Sequence, residues 1–139
     1  MKAKKIFFDA LKIGDKAFFE KKVVNNDVDA FALISGDYNP IHMDEQYAIH
    51  ANFKNRVVHG FFIGSLVSRL VGMELPGQHA LLIKESLEFK QPAYIGDKLF
   101  VSGVVVGKSQ STKIVELAVT IFRNKEILVS GSVHVKVLK

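Results

Sequence analysis

A carboxylate and an imidazole, Asp37 and His42, stand five residues apart in the run Ser35-Gly36-Asp37-Tyr38-Asn39-Pro40-Ile41-His42. Two such groups around one water form an acid–base pair, each able to take up or return a proton. Whether they meet depends on the backbone between them. Gly36 admits conformations that other residues avoid. Pro40 fixes its own φ and pushes Asn39 toward an extended conformation. The stretch therefore reads as a bent, non-helical loop that turns both side chains toward one point. Asn39 is a further candidate, orienting the loop or the pair, with turn formation before proline as the equal alternative. The bland reading makes Asp37 and Asn39 ordinary turn residues and His42 incidental.

Two more segments extend the pattern. Arg56-Val57-Val58-His59-Gly60 precedes an apolar stretch, and Ser86-Leu87-Glu88-Phe89-Lys90-Gln91-Pro92-Ala93-Tyr94-Ile95-Gly96-Asp97 follows it. Together with the run from Phe31 to His42, and its continuation through five residues to Ala48, this order resembles the MaoC-like hydratase family. The type members of that family are the (R)-specific enoyl-CoA hydratases. The likeness runs from about Leu11 to the C-terminus, and the first motif is its most specific part. It implies a hotdog fold, a curved sheet wrapped around a helix. It implies reversible addition of water to a trans-2-enoyl thioester, with an (R)-3-hydroxyacyl product and a place in fatty acid metabolism. By the same likeness, Asp37 and His42 are the catalytic pair, Ser68 lies close to the site, and the chain forms a homodimer. The substrate is then an acyl thioester of coenzyme A or of acyl carrier protein, with no cofactor and no metal.

That chemistry needs a stabiliser for negative charge on the thioester oxygen. Gly60 sits at the expected start of the apolar helix, where N–H groups are unpaired and the helix dipole favours anions. By the same likeness His59 is first a residue that shapes the turn, and with Ser68, Arg56 and Val71 it is a candidate for the substrate-binding side of the site. Arg56 and Lys54 are placed to meet coenzyme A phosphates, with a solvated surface role as the alternative. Val71 is a candidate for the wall that sets acyl chain length. Ser65 and Ser68 lie three residues apart on the same stretch, and either can bond a carbonyl one turn back. His50, His79 and His134 carry no surrounding motif and read as ordinary residues. His42-Met43-Asp44 is too sparse for a metal centre. There is no Gly-x-Ser-x-Gly elbow and no phosphate-binding glycine loop.

The 139 residues suggest one domain, 1–139, and 48% hydrophobic content supplies a core. There is no cysteine, which removes disulfides and thiolate chemistry and fits a reducing, cytoplasmic compartment. The basic start Met1-Lys2-Ala3-Lys4-Lys5 is followed by an apolar run too short for a signal peptide. The apolar region from Val57 to Leu75 is interrupted by His59, Arg69 and Glu74 and is not read as a membrane span. A net charge of +5 suits a phosphate-bearing substrate. Nucleic acid is not the expected partner, because the lysines are scattered rather than interleaved with aromatics.

The elements that must position these residues form an α+β pattern. Asn25 and Asn26 are candidate caps for a helix from about Asp27 to Ile34, stopped by Gly36. Asp44 is placed to cap a short helix through Ala48. Residues Gly60 to Met73 form the expected central helix, apolar on nearly all sides and therefore expected to be buried. Strands are expected at Ala17 to Val24, Leu81 to Ile83 leading into Ser86 to Lys90, Lys98 to Val106, Lys113 to Phe122, and Glu126 to Val137, with a hairpin turn at Asn124-Lys125. In Val115, Leu117, Val119 and Ile121 the apolar residues alternate at the period of a half-buried strand. Three competing functions stay open: an acyl-carrier-protein dehydratase, a thioesterase, since one fold hosts many activities, and a non-catalytic acyl-binding subunit. The intact Asp37/His42 run disfavours the last two.

Overall fold

A computed structural model describes residues 1–139. Five strands form one antiparallel sheet: β1 (Lys16–Lys22), β2 (Ala80–Phe89), β3 (Lys98–Ser109), β4 (Ile114–Arg123) and β5 (Glu126–Val137). Their spatial order is β1-β3-β4-β5-β2. The long hairpin strands β3, β4 and β5 make the centre, with Val101 opposite Ile121 and Val119 opposite Gly131. Alternation on β4 works as read: Val115, Leu117, Val119 and Ile121 are all buried. Asn124, at φ 53°, makes the β4–β5 turn.

The inner face of the sheet closes on the helix α4 (Gly60–Arg69) and on one π-helical turn, Leu70–Glu74, that prolongs it. Ile63, Leu66, Val67, Leu70 and Val71 enter the common core with the strand valines. This is the hotdog arrangement. The expectation of a helix buried on all sides is not met. Phe61 is 86% exposed, and Ser65 and Ser68 are exposed as well. The reason is topological: β2 lies at a sheet edge, so the sheet of one chain covers only one side of α4. β2 is also continuous rather than two pieces, with an irregularity in register between Leu82 and Lys84. No helix is long and apolar enough to cross a membrane.

Three further helices carry the chain between β1 and α4: α1 (Asn25–Ser35), α2 (Pro40–Met43) and α3 (Glu45–His50). α1 starts earlier than expected, and neither asparagine caps it. Val24 holds the cap position, and Asp27 reaches back to accept its N–H at 2.9 Å, as the acidic member of a capping box does. Gly36, at φ 76°, ends α1 in the left-handed conformation. Asp44 caps α3 as read, accepting the Tyr47 N–H at 3.0 Å.

Candidate active site

The segment from Asp37 to His42 is only half a loop. From Pro40 onward it is a helical turn, because proline is tolerated at the first helical position and Asn39 supplies the cap. The expectation of a non-helical stretch fails there. Side chains wind the remainder tightly. Ser35 Oγ accepts the Asp37 N–H at 3.1 Å, Asp37 Oδ1 accepts the Asn39 N–H at 3.2 Å, and Asn39 Oδ1 accepts the Ile41 N–H at 3.1 Å. One Asp37 oxygen is thereby tied to the loop. The other, Oδ2, lies 3.8 Å from His42 Nε2. The Asp37 side chain is 49% exposed and that of His42 only 13%.

A single strip, Arg56 to His59, holds this segment at four points. The Val57 N–H bonds the Ile41 carbonyl at 3.0 Å. His42 Nδ1–H donates to the Val57 carbonyl at 2.7 Å. Arg56 Nε–H donates to the His42 carbonyl at 2.6 Å. His59 Nε2–H donates to the Asp37 carbonyl at 2.9 Å. His59 is buried, and its ring stacks on that of His42 with centroids 3.9 Å apart and planes 27° apart. It thus touches both members of the pair. A carbonyl only accepts, so the bond to Val57 places a proton on His42 Nδ1. Nε2, turned to Asp37, then carries the lone pair whenever the ring is neutral.

Asp37, His42 and His59 bring potential ligand atoms within 4.8 Å of one another. Their geometry does not fit a metal centre. Imidazole lone pairs lie in the ring plane, and two nearly parallel stacked rings cannot converge on one ion. His59 Nε2 is moreover engaged by the Asp37 carbonyl.

Oδ2 and Nε2 are too far apart for a direct hydrogen bond and well placed to share a water. A molecule at the apex of a triangle reaches both at about 2.8 Å. Beside this position the Gly60 N–H, first of α4, has no acceptor within the protein. Gly60 is packed against Phe89: a Cβ at this position would stand 3.4 Å from the Phe89 ring. His42 opens on a cleft of ≈ 240 Å³ with Gly60, Ile63, Phe89 and Leu128 in its wall. Asp37 opens on a neighbouring one of ≈ 470 Å³ that shares Gly60 and Phe89. The second continues past Phe61 and Phe89 into a groove lined by Gly64, Ser65, Glu85 and Leu87. Burial pushes the Glu85 carboxyl above its ordinary range.

The fold therefore brings Asp37, His42, His59 and Gly60 together. Asn39 is engaged as a helix cap. Arg56, anticipated for coenzyme phosphates, instead holds the His42 carbonyl and pairs with Asp29 at 2.6 Å. Ser68 is exposed on the outer side of α4, and Val71 is buried in the core; neither lines the three clefts. Ser65 does bond a carbonyl one turn back, that of Phe62 at 2.6 Å. Sequence reasoning missed Phe89, Phe61, Glu85 and Asp29. Phe89 lay within a quoted motif, but nothing in its type sets it apart from a core phenylalanine. Asp29 falls in the first turn of a helix expected from about Asp27, where negative charge favours the helix dipole, and this gave it an adequate local explanation.

The chain as a whole is similar to known proteins. The family described as "MaoC like domain" matches residues 10–126. The chain belongs to the MaoC-like family. Among its MaoC-like relatives, a 3-hydroxybutyryl-CoA dehydratase of Methylorubrum extorquens is 34% identical over 96% of this chain and 85% of its own length. An (R)-specific enoyl-CoA hydratase of Aeromonas caviae is 34% identical, covering 91% of this chain and 96% of the relative. A solved (R)-hydratase structure from A. caviae superposes with a TM-score of 0.89 over 92% of this chain and 98% of that one, at 34% identity. A mitochondrial 3-hydroxyacyl-[acyl-carrier-protein] dehydratase of Arabidopsis thaliana is 34% identical over 86% of this chain and 72% of its own.

Proposed function

We propose that this chain is an (R)-specific enoyl-CoA hydratase, a hydro-lyase that adds water reversibly to trans-2-enoyl-CoA to form (R)-3-hydroxyacyl-CoA in fatty acid metabolism. One observation carries the reading. Asp37 Oδ2 and the Nε2 edge of His42 face each other across 3.8 Å beside the free Gly60 N–H. A water donating one hydrogen to each acceptor turns its lone pair toward the β-carbon of a bound enoyl group. The water oxygen bonds the β-carbon, and the carbon–carbon π pair shifts to the α-carbon and thioester oxygen. The proton shed by water passes to the Asp37/His42 pair. The thioester oxygen rests on the Gly60 N–H, a kind of donor worth about 3 kcal/mol in a transition state. The pair then returns one proton to the α-carbon, so H and OH add to the same face. Positioning of Asp37, His42 and the Gly60 N–H before reaction supplies much of the rate.

The working unit in this proposal is a homodimer, which supplies cover for the open β2 edge and the outer side of α4. Its setting is the cytoplasm, a reducing compartment suited to a cysteine-free chain. A second reading, dehydration of a 3-hydroxyacyl group on acyl carrier protein, uses the same groups and is supported by the likeness to the plant dehydratase.

The test is hydration of crotonyl-CoA, followed as loss of the ultraviolet absorption of the conjugated thioester, with free thiol measured in parallel. Asp37→Asn and His42→Ala are each expected to lower turnover by at least about 100-fold with the fold intact. The product should be (R), with deuterium from heavy water on the same face as the new hydroxyl. Thiol release without hydration would replace the assignment with thioester hydrolysis. Activity confined to acyl-carrier-protein substrates would favour the second reading.

A further inference from the structure

The strip that grips the catalytic segment has its own anchor. Arg56 uses two nitrogens for two tasks: Nε holds the His42 carbonyl at 2.6 Å, and Nη2 bonds Asp29 Oδ1 on α1 at 2.6 Å. Nη2 also lies 3.9 Å from Met43 Sδ. The Arg56 side chain is only 15% exposed. Its backbone neighbour Val57 receives the His42 Nδ1–H. His42 is therefore held by adjacent residues at its backbone and at its ring, and the ring orientation follows from where that strip sits. Asp29 lines none of the clefts at the site. A guanidinium is suited to this work because its planar fork directs two bonds in fixed relative directions, which an ammonium does not.

We infer that Asp29 and Arg56 form a strut that sets the position of His42, and that Arg56 is a positioning residue rather than a ligand of coenzyme phosphates. The inference rests on the hydratase reading of the site. The Asp29 end of the pair is half exposed, and solvent there limits what the pair adds to stability, so the strut acts on geometry more than on folding. A misplacement of about 1 Å at a reacting group costs up to about 100-fold in rate.

The experiment compares crotonyl-CoA with crotonyl-pantetheine, which lacks the adenosine phosphates. Wild-type hydration of crotonyl-CoA is the control for the reading itself; its absence removes the reading before the strut is addressed. With an active wild type, Arg56→Ala should lower kcat about 10-fold or more on both substrates, with KM little changed. Arg56→Lys should not rescue it, although it keeps the charge. Asp29→Asn should lower kcat about 2- to 5-fold, and Asp29→Ala should add nothing to Arg56→Ala. Should Arg56→Ala fail to fold, Arg56→Lys and Asp29→Asn carry the test. A defect seen only with crotonyl-CoA, expressed in KM and rescued by lysine, overturns the inference in favour of phosphate binding. Wild-type kcat in Asp29→Asn or Arg56→Lys overturns the strut.

Discussion

Strands β4 and β2 are equal in length and alike in apolar content, and their fates are opposite. On β4, Val115, Leu117, Val119 and Ile121 vanish into the core. On β2, Leu81, Leu82, Ile83 and Phe89 are all exposed. β4 has a hydrogen-bonded neighbour on each side and β2 has only β5. The outer side of α4, led by Phe61, shares the condition of β2. The contrast separates apolar surface that folds this chain from apolar surface that the chain leaves open beside its site. A long apolar edge with unpaired backbone groups is an aggregation hazard unless something covers it.

Substitutions on the two strands sharpen that contrast. Leu117→Ala, at a fully buried position on β4, should cost about 3 kcal/mol in urea unfolding. A loss below 1 kcal/mol would mean that the β4 face is not the stabilising core. The double change Leu81→Lys with Ile83→Lys on β2 should leave the monomer's stability within about 0.5 kcal/mol. It should weaken self-association at least about tenfold, equivalent to ~1.4 kcal/mol, as read by sedimentation across concentration. An undiminished dimer would place the subunit contact elsewhere.

The smallest effect is expected at Glu85, on the same strand. Its carboxylate lies against α4 near Gly64 and Leu87, and burial raises its pKa from the ordinary 4.5. The folded state therefore binds the proton more tightly than the unfolded state. This contribution to stability is fully present below about pH 4.5 and is lost as pH rises through the folded-state value. Glu85→Gln should flatten that part of the stability–pH curve and raise the melting temperature modestly at neutral pH. An unchanged pH dependence would show that the groove is wetter than its lining suggests.

Legibility followed how local the physics was. The central strands could be read because a period of two is written directly into β4. Asp44 and Gly36 could be read because a cap and a left-handed stop act within a turn of their own position. Asn25 and Asn26 misled because the helix start is tied from inside, by Asp27 accepting the N–H of the true cap residue Val24, and this needs no capping side chain. Pro40 misled because proline both breaks helices and begins them, and only Asn39's side chain decides which. Arg56 was recognisable as part of a pattern, but its partner lies 27 residues away on α1. Asp29 carries no local mark of that pairing.

The sequence by itself determined the α+β class, the alternating core strands, the Asp37/His42 candidates and the likeness to the MaoC-like hydratases. These rest on residue types and short spacings that survive without coordinates. Tertiary structure decided the 3.8 Å gap between Oδ2 and Nε2, the His42 tautomer, the stacking of His59, and which apolar faces stay open. It also decided that Arg56 faces Asp29 rather than solvent. Each of these depends on where a segment distant in the chain comes to lie. Burial and hydrogen bonding are properties of both partners, and the spatial arrangement of α1, the strip before α4 and the edge strand β2 is set only when the sheet closes on its helix.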